Sequence, residues 1–221
     1  MMPNSKIAVL VALSAALAAC QKKSEQSVVI PPCVSSDAAK AAAATPAADS
    51  PEARELARKQ ALLDFATLEE GFLNDPKGQW AHEATATSTF GETRGPAADS
   101  NKPQNIAGKP DTKTWTNDHM DMGFDSFEAV YEKPVHAMTV RIVITDGVEA
   151  LSKVELRDTS GAWSTAWSGI SDTKQEKNGS RTWFVRSFEK TAQPVQAVRV
   201  TIANNVDPGY KHVDAIQLVG E

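Results

Sequence analysis

Residues 80–221 predict an all-β fold, an antiparallel sandwich or jelly roll. Two runs alternate with period two: "VHAMTVRIVIT" (135–145) sets Val140, Ile142 and Ile144 against Thr139, Arg141 and Val143, and "AVRVTIAN" (197–204) sets Val198, Val200 and Ile202 against Arg199 and Thr201. Shorter runs follow the same rule at 83–90, 126–131, 152–158, 162–168, 181–188 and 212–219. Turn-forming residues separate them: Asp146-Gly147, Asp158-Thr159-Ser160-Gly161, Asn178-Gly179 and Asp207-Pro208-Gly209. No helical pattern lies between these strands, and the segment is long enough for one core.

The chain begins differently. Lys6 precedes an apolar run from Ile7 to Ala19 that ends at Cys20, the order expected of a signal peptide over 1–19. The run is shorter than the roughly 20 residues a membrane-spanning helix needs. Leu17-Ala18-Ala19-Cys20 resembles the bacterial lipobox, which implies a lipidated Cys20 and a membrane-anchored protein. In such lipoproteins an Asp after the cysteine favours the inner membrane; here the residue is Gln21, so the outer membrane is expected. Cys33, the other cysteine, then has no intrachain partner.

Residues 20–49 read as a tether, rich in alanine and broken by "IPPC" and Pro46. A helix is expected over 50–75. Ser50 can cap it, Pro51 suits its first position and Glu52 its positive end. Ala57, Ala61, Phe65, Leu68 and Phe72 form one stripe, and Asn74-Asp75-Pro76 ends it. Such a stripe needs a cover, either the following domain or a partner.

The formal net charge is −5, and removing 1–19 with Lys6 makes it −6. A mildly acidic chain with dispersed lysines is not built for nucleic acid. It contains no G-x-S-x-G, P-loop or Rossmann fingerprint, so a non-catalytic protein is expected. "NDHMD" supplies Asp118, His119 and Asp121, the only compact acid-base set; hydrolysis would require these three neighbours to converge.

Six pieces in order resemble the galactose-binding-like β-sandwich of discoidin domains and bacterial carbohydrate-binding modules: "WAHEATATST", "NIAGKPDTKTW", "SFEAVYEKPVHAMTVRIVIT", "SKVELRDTSGAWSTAWSG", "VQAVRVTI" and "KHVDAIQLVG". The resemblance implies glycan binding through loops at one end. On it, His119, Tyr210, Arg94, Asn204 and Trp163 are the expected rim residues. It also implies a structural calcium in the 104–122 loop, held by Asp111, Thr114 and the Gly108 carbonyl with Asp214 from the last strand. The loop departs from the family there. Discoidin-type Asp-Gly-Asp-Pro is Ala107-Gly108-Lys109-Pro110, with two acids lost and a cation gained. Without calcium, the same loop reads as a turn that lets Trp115 plug the end of the sandwich.

The combined expectation is a non-catalytic outer-membrane lipoprotein that binds glycan. Its rival is a protein-interaction module docking on an envelope partner.

Overall fold

The computed structural model describes residues 50–176 and 181–221. The signal peptide, Cys20, Cys33, the tether and the Asn178-Gly179 turn lie outside the described residues. Chain order is α1 (Pro51–Leu73), β1 (Gly78–Trp80), β2 (Glu83–Ala86), β3 (Trp115–Thr116), β4 (Phe124–Val135), β5 (Ala137–Asp146), β6 (Leu151–Asp158), β7 (Trp163–Ser168), β8 (Thr182–Ser187), β9 (Val195–Ala203) and β10 (His212–Gly220).

The strands form two antiparallel sheets. In the first, β5 runs along one side of β10, β8 lies beyond β5, and β1 and β3 share the other side of β10 at opposite ends. The second has the order β2-β4-β9-β6-β7. This is the antiparallel β-sandwich that the alternation predicts. The alternation decides which side chains meet inside: Val140, Ile142 and Ile144 face Phe127, Ala129 and Tyr131 from β4, and Val198, Val200 and Ile202 from β9, all buried. Each branched aliphatic so placed contributes about 1.5–3 kcal/mol. Trp115 is fully buried, donates Nε1–H to the Ser88 carbonyl at 2.9 Å and meets Phe127 edge-on. It is the plug that the turn reading of its loop expects.

The two sheets differ in what covers their outer faces. On the first sheet, Val143, Trp183 and Ala215 are buried under Phe65, Phe72 and Leu73 of α1 and Trp80. Ser50 accepts the Ala53 N–H at 3.1 Å and starts the helix. Glu69 fixes its azimuth, accepting from Arg181 Nε at 2.6 Å and Trp183 Nε1 at 3.0 Å. α1 docks through Phe65, Phe72 and Leu73, while Leu56, Leu63 and Leu68 stay exposed.

Two mid-strand arginines that alternation alone would leave in solvent, Arg141 and Arg186, are drawn in. Arg141, at mid-strand, belongs by alternation to a solvated face, yet only 12% of its side chain is exposed. It pairs with Asp75 at 2.8 Å and lies 4.2 Å over the Phe72 ring, because the helix has displaced the water. Arg186 is likewise drawn in, over Phe184 and Trp167 at the edge between the sheets. Arg199, also at mid-strand, is the more open one, with 37% of its side chain exposed.

Phe72→Ala removes the ring shared by Trp183 and Arg141. We expect a loss of about 2 kcal/mol in denaturant unfolding, below the value for a fully buried ring because Phe72 is only partly buried. Trp183 fluorescence shifts to the red in the folded variant.

Candidate functional site

One end of the sandwich gathers the loops 87–95, 117–123 and 204–211 around a single buried carboxylate. Asp125 opens β4 with its side chain on the inner face, 1% exposed. It accepts from Ser88 Oγ at 2.7 Å, Asn204 Nδ2 at 2.9 Å and Asn117 Nδ2 at 3.0 Å, so each loop contributes a donor. Burial pushes this carboxyl upward, but the hydrogen bonds from Asn117, His119, Ser88 and Asn204 outweigh it and hold Asp125 below the usual carboxylate range. His119 lies over it, Nδ1 to Oδ1 at 2.9 Å, with 59% of its side chain exposed. The hydrogen bond and charge of Asp125 raise the imidazole above its ordinary value. With Nδ1 engaged, Nε2 is the nitrogen left for solvent or ligand.

Lys211 is the second buried ion, with no exposed surface. Its ammonium donates to the carbonyls of Met120 at 2.7 Å, Asn204 at 3.1 Å and Gly209, binding two loops from beneath. Its backbone N–H donates to Asn117 Oδ1 at 2.8 Å. Burial pulls the ammonium pKa down, and nearby Asp207 and Asp121 oppose that. Gly147 makes room for it. With φ 86°, a Cβ there would sit 2.5 Å from Lys211 Cγ, so glycine is required on both counts.

The rim above these ions is partly apolar. Phe124 is 69% exposed and Met122 80%, with Met120 and Val206 also open. Residues 118–122 line a depression of about 450 Å³. Asp118, His119 and Asp121 do not converge. Asp118 accepts from Gly91 N and Thr93 Oγ1, Asp121 accepts from Gly209 N, and His119 turns to Asp125. Each ties a different loop, so the hydrolase arrangement is not formed.

The expected rim residues separate. His119 is at the site. Tyr210 is at the same end, but its ring packs edge-on against Phe90 at 4.7 Å. Arg94 is exposed on the loop that Asp118 anchors. Asn204 is a correction: it is fully buried and serves Asp125, beyond a ligand's reach. Trp163 is a second correction. It lies on the outer face of the second sheet, paired with Arg157 beside the turn at the other end. Sequence reasoning missed Phe124, Met122 and Asp125. Parity contains the signal for two of them: if Phe127 faces the core, Asp125 faces in and Phe124 faces out.

The loop expected to hold calcium is built around its own donors. Both Asp214 oxygens accept backbone N–H groups, from Asp111 at 3.1 Å and Thr112 at 3.2 Å, and Arg181 Nη1 is 4.0 Å away. Thr112 is thereby held at φ 73°, a conformation costly for a β-branched residue. Asp111 takes the Lys113 N–H and ammonium. The Thr114 hydroxyl turns to His212 Nδ1 at 3.5 Å, and its carbonyl accepts from Asn105. Gly108 donates its N–H to the Ala81 carbonyl. Among the described residues, no three His, Cys, Asp or Glu side chains surround a common point. The carboxylates are committed to backbone amides and two side-chain cations, which does not fit a calcium site.

No protein-family model matches this chain, and no curated protein matches it. Solved structures do. Chitosan-binding module 1 from a chitosanase/glucanase of Paenibacillus sp. IK-5 is 12% identical, covers 63% of this chain and 96% of its own, and has a TM-score of 0.49. The family 32 carbohydrate-binding module of C. perfringens NanJ, solved with galactose, is 12% identical over 64% and 98%, at 0.47. Reduced XRCC1, solved bound to the DNA pol beta catalytic domain, is 13% identical over 66% and 99%, at 0.49. Likenesses this distant assign no ligand.

Two outcomes are expected. By NMR, His119 titrates above the ordinary imidazole range and returns towards it in Asp125→Asn. The His119 contribution to stability is full at low pH and is lost as pH rises through its folded pKa. The Asp125 contribution is lost as pH falls through its own depressed value, so the pair acts between those limits. Separately, adding calcium or a chelator leaves the melting temperature unchanged, because both Asp214 oxygens already accept backbone amides and Asp111 already holds Lys113.

Proposed function

We propose that this chain is a non-catalytic envelope lipoprotein whose sandwich binds glycan at the end built on Asp125. The supporting observation is the exposed Phe124 ring at the same rim as an imidazole whose orientation is fixed from behind. Sugar recognition needs a flat apolar surface for the C–H face of a pyranose and a few rigid polar groups for its hydroxyls. Phe124 offers the first, with Met122 beside it. His119 Nε2 offers the second, and its bond to a buried ion lowers the entropy cost of holding that geometry. The membrane anchor follows from the signal and lipobox pattern at 1–20 and is part of the proposal.

One observation favours a second reading, an interaction module. Helix α1 leaves Leu56 and Leu63 exposed seven residues apart on one face, a surface that suits a protein partner in the envelope.

Calorimetric titration with envelope sugars discriminates the two. Glycan binding predicts heat from at least one sugar and about a tenfold loss of affinity in Phe124→Ala or His119→Ala, equivalent to about 1.4 kcal/mol. Absence of heat across the panel removes the glycan reading. Loss of a co-purifying envelope protein in the double variant Leu56→Ser, Leu63→Ser would support the interaction module.

A further inference from the structure

Among the described residues no helix covers the outer face of the second sheet, and that face is shaped. Thr85, Ala86, Thr87, Ser126, Glu128 and Arg199 line a depression of about 390 Å³ across β2, β4 and β9. The register explains the lining: Thr85 is opposite Glu128, Glu128 opposite Arg199, and Arg199 opposite Glu155 on β6. These side chains share one face of the pleat and stand in a row across four strands.

The row is stiff. Glu128 accepts from Arg199 at 3.2 Å and Arg157 at 2.9 Å, and Glu155 accepts from Lys153 at 2.7 Å. The Arg199 guanidinium lies 4.0 Å from the Trp163 ring centre on the edge strand β7, and Arg157 lies 5.4 Å from it. Each of these charges faces an opposite one, so the face does not select an ionic ligand. It presents forked donors, a carboxylate and hydroxyls, all held in place, and neighbouring hydroxyls of a sugar can satisfy such groups in pairs. Phe124 stands on the same face, two residues before Ser126 along β4. An exposed ring therefore bounds the row at the loop end, and an indole bounds it at the far edge.

We propose that this groove is a second subsite for an uncharged oligosaccharide, extending from the Phe124 rim across the sheet towards Trp163. The proposal rests on the glycan reading above and adds a chain-length requirement to it. From Phe124 to Trp163 the path runs six strand positions along and three strands across, roughly 20–25 Å, at about 3.4 Å per residue and 4.8 Å per strand. A monosaccharide at the rim cannot reach the row; a chain of several units can.

The experiment compares galactose with galactotetraose, and N-acetylglucosamine with tetra-N-acetylchitotetraose, by calorimetry and by NMR of the Trp163 indole and Arg199 Nε–H signals. The expected result is that one tetrasaccharide binds at least tenfold more tightly than its monosaccharide and moves both signals. Arg199→Ala then abolishes the gain while leaving monosaccharide affinity unchanged, and Thr85→Val reduces it. Arg157 still holds Glu128 in this variant, so it is expected to fold, and a cooperative melting curve separates lost contact from lost fold. Equal affinity for the two lengths overturns the subsite, as does a length gain that Arg199→Ala does not touch. A tetrasaccharide that still binds in His119→Ala but not in Arg199→Ala keeps the groove and removes the loop-end reading. Silence from all four sugars removes both.

Discussion

A carboxylate with almost no contact with water governs the tip of this molecule. Asp125 can remain ionised there only because donors from three loops point at it, and those loops hold their shapes because the carboxylate needs them. The dependence runs both ways: Ser88, Asn117 and Asn204 are short polar residues that would be free to wander without an ion to serve. Backbone register places Asp125 on the inner side of β4, so the strand pairing of the sandwich determines where the network can form. His119 is then a surface group whose geometry is dictated by an interior one.

The helix supplies the other large asymmetry. By covering the first sheet it turns Val143, Trp183 and Arg141 into interior residues and commits that side to stability. The second sheet is left wet, with its paired charges and hydroxyls facing solvent. A sandwich with one closed and one open face has a front and a back. Both features proposed to bind ligand, the rim and the groove, belong to the open side or to its upper edge.

Much of this was legible in the residues. Alternation over 135–145 and 197–204 fixes two central strands, and the turn pairs fix the lengths of their neighbours, because period-two burial is a local property. The brief strands β1 and β3 were not legible: two or three residues carry no period, and both exist only because β10 offers them a free edge. The site was harder for the same reason. Asn204 and His119 look alike as polar residues in loops, and only tertiary packing makes one an interior strut and the other a rim group. Arg141 was misread because its strand says nothing about what lies on top of it. Asp111 and Asp214 suggested a metal by resemblance, while the use of Asp214 as an acceptor for two consecutive amides is a fact of loop geometry that no spacing encodes.

The ammonium of Lys211 has a consequence for the environments this protein can tolerate. It does what a bound ion does in many loop-rich domains, gathering carbonyls from separate segments around one positive charge. A cation joined to the backbone by four methylenes has no dissociation constant. Dilution cannot unload it, and a competing ion cannot replace it. The positive charge that gathers these carbonyls is therefore inherited with the polypeptide itself.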